Sequence, residues 1–120
     1  KPPTLFKNSN KIFRDFIFID DVIQANIKAC ASSNTSNHEV YNVGTGISRS
    51  FQDISDILQK ELGTSLGNKY ISNPYNGYQS NTQADISKTI KYLGFTPNFL
   101  LELGISSYIS EIKHLHGSEI

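Results

Sequence analysis

The longest uninterrupted apolar run near the start of the chain is Phe16-Ile17-Phe18-Ile19. Four β-prone residues without alternation predict a short strand covered on both faces. Asp20 and Asp21 follow at once, and beyond them Ile23, Ile27 and Cys30 fall on one stripe. That spacing predicts a helix through about Ala31, capped by one of the two aspartates. The segment VYNVGTG, from Val40, reads as a second apolar strand ending in a glycine turn. Ser50 and Asp53 then stand three apart, as in a capping box, and Phe51, Ile54, Ile57 and Leu58 share the inner face of a helix that Gly63 terminates. NKYISN predicts a further strand, and NPYNGYQSNTQ, rich in turn formers and without a period, a long loop. A helix is predicted from Asp85 as cap to Gly94 as terminator, with Ile86, Ile90 and Leu93 aligned. A last one is predicted over about Leu100 to Leu115, with Leu101, Ile105, Tyr108, Ile112 and Leu115 on one face. Mixed strand and helix without repeat or heptad is an α/β pattern.

Charge narrows the partners. Eleven basic residues balance eleven acidic ones among 120, so bulk charge favours neither nucleic acid nor a membrane surface. The basic residues are nevertheless uneven: Lys1, Lys7, Lys11 and Arg14 precede the first acid, which forms either a local positive pocket or a solvated end. No apolar run approaches the roughly 20 residues that span a bilayer. Cys30 is the single cysteine, so no internal disulfide is available and a reducing, cytoplasmic setting is expected. The sequon Asn34-Thr35-Ser36 lies in the polar loop SSNTSNHE, without a secretory leader to give it meaning. The chain contains no methionine, even at position 1, and so reads as a piece whose upstream part is unseen.

Few motifs carry chemistry. Gly44-Thr45-Gly46 lies between a predicted strand and helix, where a dinucleotide fingerprint would lie, but Arg49 occupies the third glycine position and no Walker lysine follows. A glycine turn is the better reading. His114 and His116 are two apart and do not share a helical face, which argues against a metal pair. Arg14 is the sharper candidate. A guanidinium offers five donors in a planar fork suited to two phosphate oxygens, and the run behind it would be a rigid mount. A simple ion pair with Asp15 is the competing reading, and spacing does not separate the two. Asp15, Asp20 and Asp21 read as structural, the latter two complementing a helix dipole. Tyr78, alone in a Gly/Asn loop, is by itself a surface or packing residue.

Three blocks, RDFIFIDDVIQANIKA, VYNVGTGISRSFQDISDIL and ADISKTIKYLGFTPNFLLELGI, resemble in order and spacing the C-terminal portion of the extended short-chain dehydrogenase/reductases that act on nucleotide sugars. Within that superfamily LFKNSNKIFRDF and NPYNGYQSNTQADI are most similar to the ADP-L-glycero-D-manno-heptose 6-epimerase family. The resemblance implies an α/β fold that is the C-terminal substrate-binding region, residues 1–120, with short strands and packing helices and most of the Rossmann dinucleotide core absent. It also implies an isomerase that inverts C6 of an ADP-heptose for lipopolysaccharide synthesis, with NADP bound mainly by the missing N-terminal part and a homo-oligomer as the complete enzyme. Phe6, Lys7, Asn8 and Ser9 would line the nucleotide-sugar site, Arg14 would hold substrate, and Tyr78 would contact it from the late loop. The family often has glutamate and glycine where this chain has Lys7 and Asn8, which assigns contacts there to the backbone. No tyrosine of the chain is followed four residues later by lysine, so the resemblance places the proton-transfer pair upstream and implies no catalytic residue here. A UDP-sugar 4-epimerase or a dehydratase shares the RDF and NVGTG blocks, and a non-catalytic binding or structural piece is the alternative from another class.

Overall fold

The computed structural model describes residues 1–33 and 39–117; the sequon lies outside them. Among the described residues, four short strands and four helices make up the α/β architecture expected from the pattern. They are β1 (Thr4–Phe6), β2 (Phe13–Arg14), α1 (Ile19–Ala31), β3 (Arg49–Ser50), α2 (Phe51–Leu62), β4 (Lys69–Ile71), α3 (Ser87–Leu93) and α4 (Leu101–His116), with one 3-10 turn at Ser9–Lys11. β1 and β4 pair in parallel, Phe6 opposite Ile71, and the ladder runs one bond further, from the Lys7 N–H to the Ile71 carbonyl. β2 and β3 pair antiparallel, Phe13 opposite Ser50 and Arg14 opposite Arg49. Phe13 also engages the late loop: its N–H donates to the Ser80 carbonyl and its own carbonyl accepts from Thr82. Two residues of β2 thereby tie the start of α2 to the loop that carries Tyr78.

Local signals were obeyed closely. The Ser50 hydroxyl accepts from the Asp53 N–H at 3.0 Å while the Asp53 carboxylate accepts from the Ser50 N–H at 3.0 Å, a reciprocal capping box. Gly63 and Gly94 end α2 and α3 with φ of 66° and 62°, values that cost a residue with a Cβ. The start of α3 departs from expectation: its cap position is Ile86, without a side-chain cap bond, and Asp85 one residue earlier instead accepts from the Ser87 N–H and hydroxyl.

Two predicted strands are absent from the described residues. Phe16–Phe18 is irregular, α1 already begins at Ile19, and Val40–Val43 is likewise without a ladder partner. A strand requires a neighbour that accepts its N–H groups, and none of the described segments lies alongside. The apolar side chains of the first run are used instead: Phe16 meets Phe51 edge-on at 5.4 Å, Phe18 packs on Phe99 at 4.7 Å, and Ile17 joins the small core of Ala25, Leu93 and the fully buried Phe95, together with Ala29 and Tyr41. Neither aspartate caps α1, whose cap position is Phe18. Asp21 is fully buried and accepts from the N–H groups of Asn98 and Phe99, fixing the turn before α4. The predicted stripe of α1 faces outward: Ile23, Ile27 and Cys30 are exposed, and Ala25 and Ala29 face the core.

Candidate substrate-binding site

Asp15 and Arg14, adjacent in sequence, have separate partners. The Asp15 carboxylate accepts from the Thr45 N–H at 2.8 Å, the Thr45 hydroxyl at 2.6 Å, the Gly46 N–H at 2.8 Å and the Ala84 N–H at 3.3 Å. It thus staples the glycine turn to the segment before α3. A Cβ on Gly44 would come within 2.7 Å of both Asp15 and Ala84, so this glycine exists for internal packing. The Thr45 and Gly46 donors are already used, and the turn does not fit the phosphates of a dinucleotide cofactor.

Arg14 forms no ion pair among the described residues; the Asp15 pairing does not occur. One arm donates to the Phe13 carbonyl at 2.7 Å, which orients the fork. The guanidinium carbon lies 5.0 Å from the centre of the Tyr78 ring and 5.9 Å from that of Phe51, within cation–π range. Across the ladder stands Arg49, and like charges directly opposite repel. Arg49 is neutralised from both sides, by Asp53 at 3.2 Å and Glu102 at 2.6 Å. These bonds raise the Arg49 pKa, and the guanidinium holds the Glu102 carboxyl below the usual carboxylate range. Burial tends to raise the Asp53 pKa, yet the bonds from Ser50 and Arg49 leave it lowered. Of the cross-strand pair, Arg14 therefore keeps a half-buried charge backed by aromatic faces and no carboxylate.

Phe6, at the end of β1, meets Tyr78 edge-on at 5.7 Å. Both line a cavity of about 180 Å³ together with Ser9, Ile12, Phe51 and Ile71. The fold thus gathers Phe6, Ser9 and Tyr78 around one opening, and Arg14 adjoins it through the rings of Tyr78 and Phe51. Ser9 is buried and its hydroxyl donates to Gln52 at 3.2 Å, so that side chain anchors α2. The Lys7 N–H belongs to the β1–β4 ladder. Asn8 has φ 64° and ψ 25°, the left-handed conformation glycine adopts most easily and asparagine tolerates, which accounts for a glycine-like position held by asparagine. Two aromatic neighbours were missed from the sequence: Phe51, read as inner-face packing, and Tyr75, three residues before Tyr78 in NPYNGY. A larger groove of about 420 Å³ between Phe16–Ile19 and α4 is almost wholly apolar and offers no charged side chain.

No family model matches the chain. It is 33% identical over 117 residues to the ADP-L-glycero-D-manno-heptose-6-epimerase of Brachyspira hyodysenteriae, covering 94% of this chain and 36% of that protein. The crystal structure of the Helicobacter pylori ADP-L-glycero-D-manno-heptose-6-epimerase superposes with a TM-score of 0.80 at 40% identity, over 92% of this chain and 33% of that one. The Bacillus cereus UDP-glucuronic acid 4-epimerase, solved with UDP-glucuronic acid and NAD, gives 0.85 at 32%, over 96% and 36%. The chain spans about a third of the length of these relatives. In sequence and in fold alike, it matches the C-terminal part of nucleotide-sugar epimerases of the extended short-chain dehydrogenase/reductase family.

Proposed function

We propose that residues 1–120 are the substrate-binding region of a nicotinamide-dependent epimerase, with NADP the expected cofactor. The proposed reaction inverts C6 of the heptose in an ADP-glycero-manno-heptose, in lipopolysaccharide precursor synthesis in a bacterial cytoplasm. The observation that carries the binding role is the charge of Arg14, which has no carboxylate partner among the described residues and lies 5.0 Å from the centre of the Tyr78 ring, itself a wall of the Phe6 cavity. A diphosphate supplies the missing counter-charge, and the fork grips two of its oxygens. Tyr78 contributes its ring as a platform for Arg14 and its hydroxyl to the substrate. Phe6 walls the cavity, and Lys7, Asn8 and Ser9 shape it through the backbone, Ser9 holding the turn against α2.

The nicotinamide cofactor supplies a hydride acceptor and donor. The commitment of the Thr45 and Gly46 donors to Asp15 removes the glycine turn as its phosphate site, and in this reading the cofactor is bound mainly by an N-terminal part that also carries the Tyr-x-x-x-Lys pair; the complete enzyme would be a homo-oligomer. The heptose assignment rests on the 33% and 40% identities to the two heptose epimerases. The higher TM-score of the Bacillus cereus enzyme, 0.85 against 0.80, supports a second reading, a UDP-sugar 4-epimerase. Calorimetric titration of ADP-heptose and of UDP-glucose into the chain decides between them. Tighter binding of ADP-heptose is expected, and preference for UDP-glucose would overturn the heptose assignment.

A further inference from the structure

Tyr75 is an exposed loop tyrosine held in a defined place. Its N–H donates to the Asn73 side chain at 2.9 Å, and its ring lies nearly parallel to Tyr78, at 24° with centres 6.3 Å apart. Phe6 meets it edge-on at 6.2 Å, as it meets Tyr78. The ring nevertheless stays open to solvent: Tyr75 is 63% exposed, against 37% for Tyr78. A tyrosine serving only to close the cavity would bury its ring, and one serving only solubility would not be braced by two aromatic neighbours. From Arg14 outward, the order of side chains is a cation, a ring in contact with it, and a second, braced ring with open surface. A nucleoside diphosphate has the matching order: anionic diphosphate, then sugar, then a flat aromatic base.

We infer that Tyr75 is a base-recognising residue of this site, its open ring surface stacking the base of the nucleotide whose diphosphate Arg14 holds; the inference rests on the binding role proposed above. Stacking is tolerant of base identity because every base has a π-face. Tyr75 therefore adds affinity for a nucleotide over bare diphosphate, and the choice between adenine and uracil falls to other groups.

The probes are ADP and inorganic pyrophosphate, titrated calorimetrically into the unmodified chain and into Tyr75→Ala, Tyr75→Phe and Arg14→Ala variants, with melting curves as a check on folding. Tyr75→Ala is expected to weaken ADP about 5- to 150-fold, the range for loss of one base–aromatic stack, and to leave pyrophosphate within about twofold. Tyr75→Phe, which keeps the ring, is expected to bind both normally. Unchanged ADP affinity in Tyr75→Ala, with both probes weakened by Arg14→Ala, would overturn the inference and leave the diphosphate site standing. Equal loss of ADP and pyrophosphate in Tyr75→Ala would also overturn it, making the ring a mere brace for Arg14. Failure of the unmodified chain to bind either probe would overturn the inference together with the binding role beneath it.

Discussion

At Arg14 and Asp15 two neighbouring residues do opposite work, and their side chains point accordingly. Asp15 gathers four donors from the glycine turn and the segment before α3. An amide would turn its NH2 toward some of those donors, and unmade hydrogen bonds to a charged group cost about 1.5 to 3 kcal/mol. Asp15→Asn is expected to destabilise the chain by about that amount in denaturant titration, whether or not Arg14 is also replaced. Compensation by Arg14→Ala would revive the ion pair. Asn8 gives a second check, since a left-handed backbone costs a residue with a Cβ roughly 1 to 2 kcal/mol. Asn8→Gly is expected to be nearly neutral and Asn8→Val to lose about that much in the same titration. The structural role of Asp15 was readable from the sequence, and its partners were not: they lie 30 and 69 positions away. A loop tyrosine such as Tyr75 has no local signature in the sequence, and its stacking geometry singles it out.

The elements best foretold were those whose cause is local. The capping box of α2 needs two residues three apart, and Gly63 and Gly94 need only their own φ, so the sequence states all of them. Phe16–Ile19 and Val40–Val43 were misjudged because strand formation depends on a neighbour, which composition cannot supply. The exposed stripe of α1 misled in the same way: Ile23 and Ile27 obey the helical period, yet period does not say which face meets the core. Arg49 bridges Asp53 of α2 and Glu102 of α4. Both carboxyls titrate below their ordinary values in the folded chain. Their contribution is therefore full above the unfolded carboxylate range, near pH 4, and is lost as pH falls through the lowered folded values. Glu102 is more than half exposed, so solvent keeps the effect small. Melting temperature is expected to fall on acidification below about pH 4, and less steeply in Glu102→Gln; an unaltered slope would remove the ion pair from the account.

As a whole the molecule is a slab of 50 × 36 × 17 Å with a radius of gyration of 17.0 Å, against about 14 Å for a compact domain of this length. Its accessible surface is 8117 Å², where a closed protein of this mass shows roughly 6,500 Å². Large apolar side chains contribute to it, with Ile19, Ile23, Ile27, Val40 and Leu103 all exposed, and exposed apolar surface promotes association where it is contiguous. Sedimentation velocity of the purified chain is expected to show mass rising with concentration; a monomer at every concentration would mean these faces are not adhesive. No epimerisation is expected from this chain at any NADP concentration, since it contains no Tyr-x-x-x-Lys pair; turnover by it would contradict the assignment of roles. Whether Arg14 holds the diphosphate of a nucleotide sugar is read from calorimetric titration of ADP-heptose into the chain and its Arg14→Ala and Arg14→Lys variants, beside their melting curves. Arg14→Ala is predicted to lose roughly 1.5 to 3 kcal/mol of binding, about 10- to 150-fold, with little change in melting temperature. Arg14→Lys should recover part of that loss, in a salt-sensitive manner. Unchanged affinity with a lowered melting temperature would make Arg14 scaffolding and contradict the account.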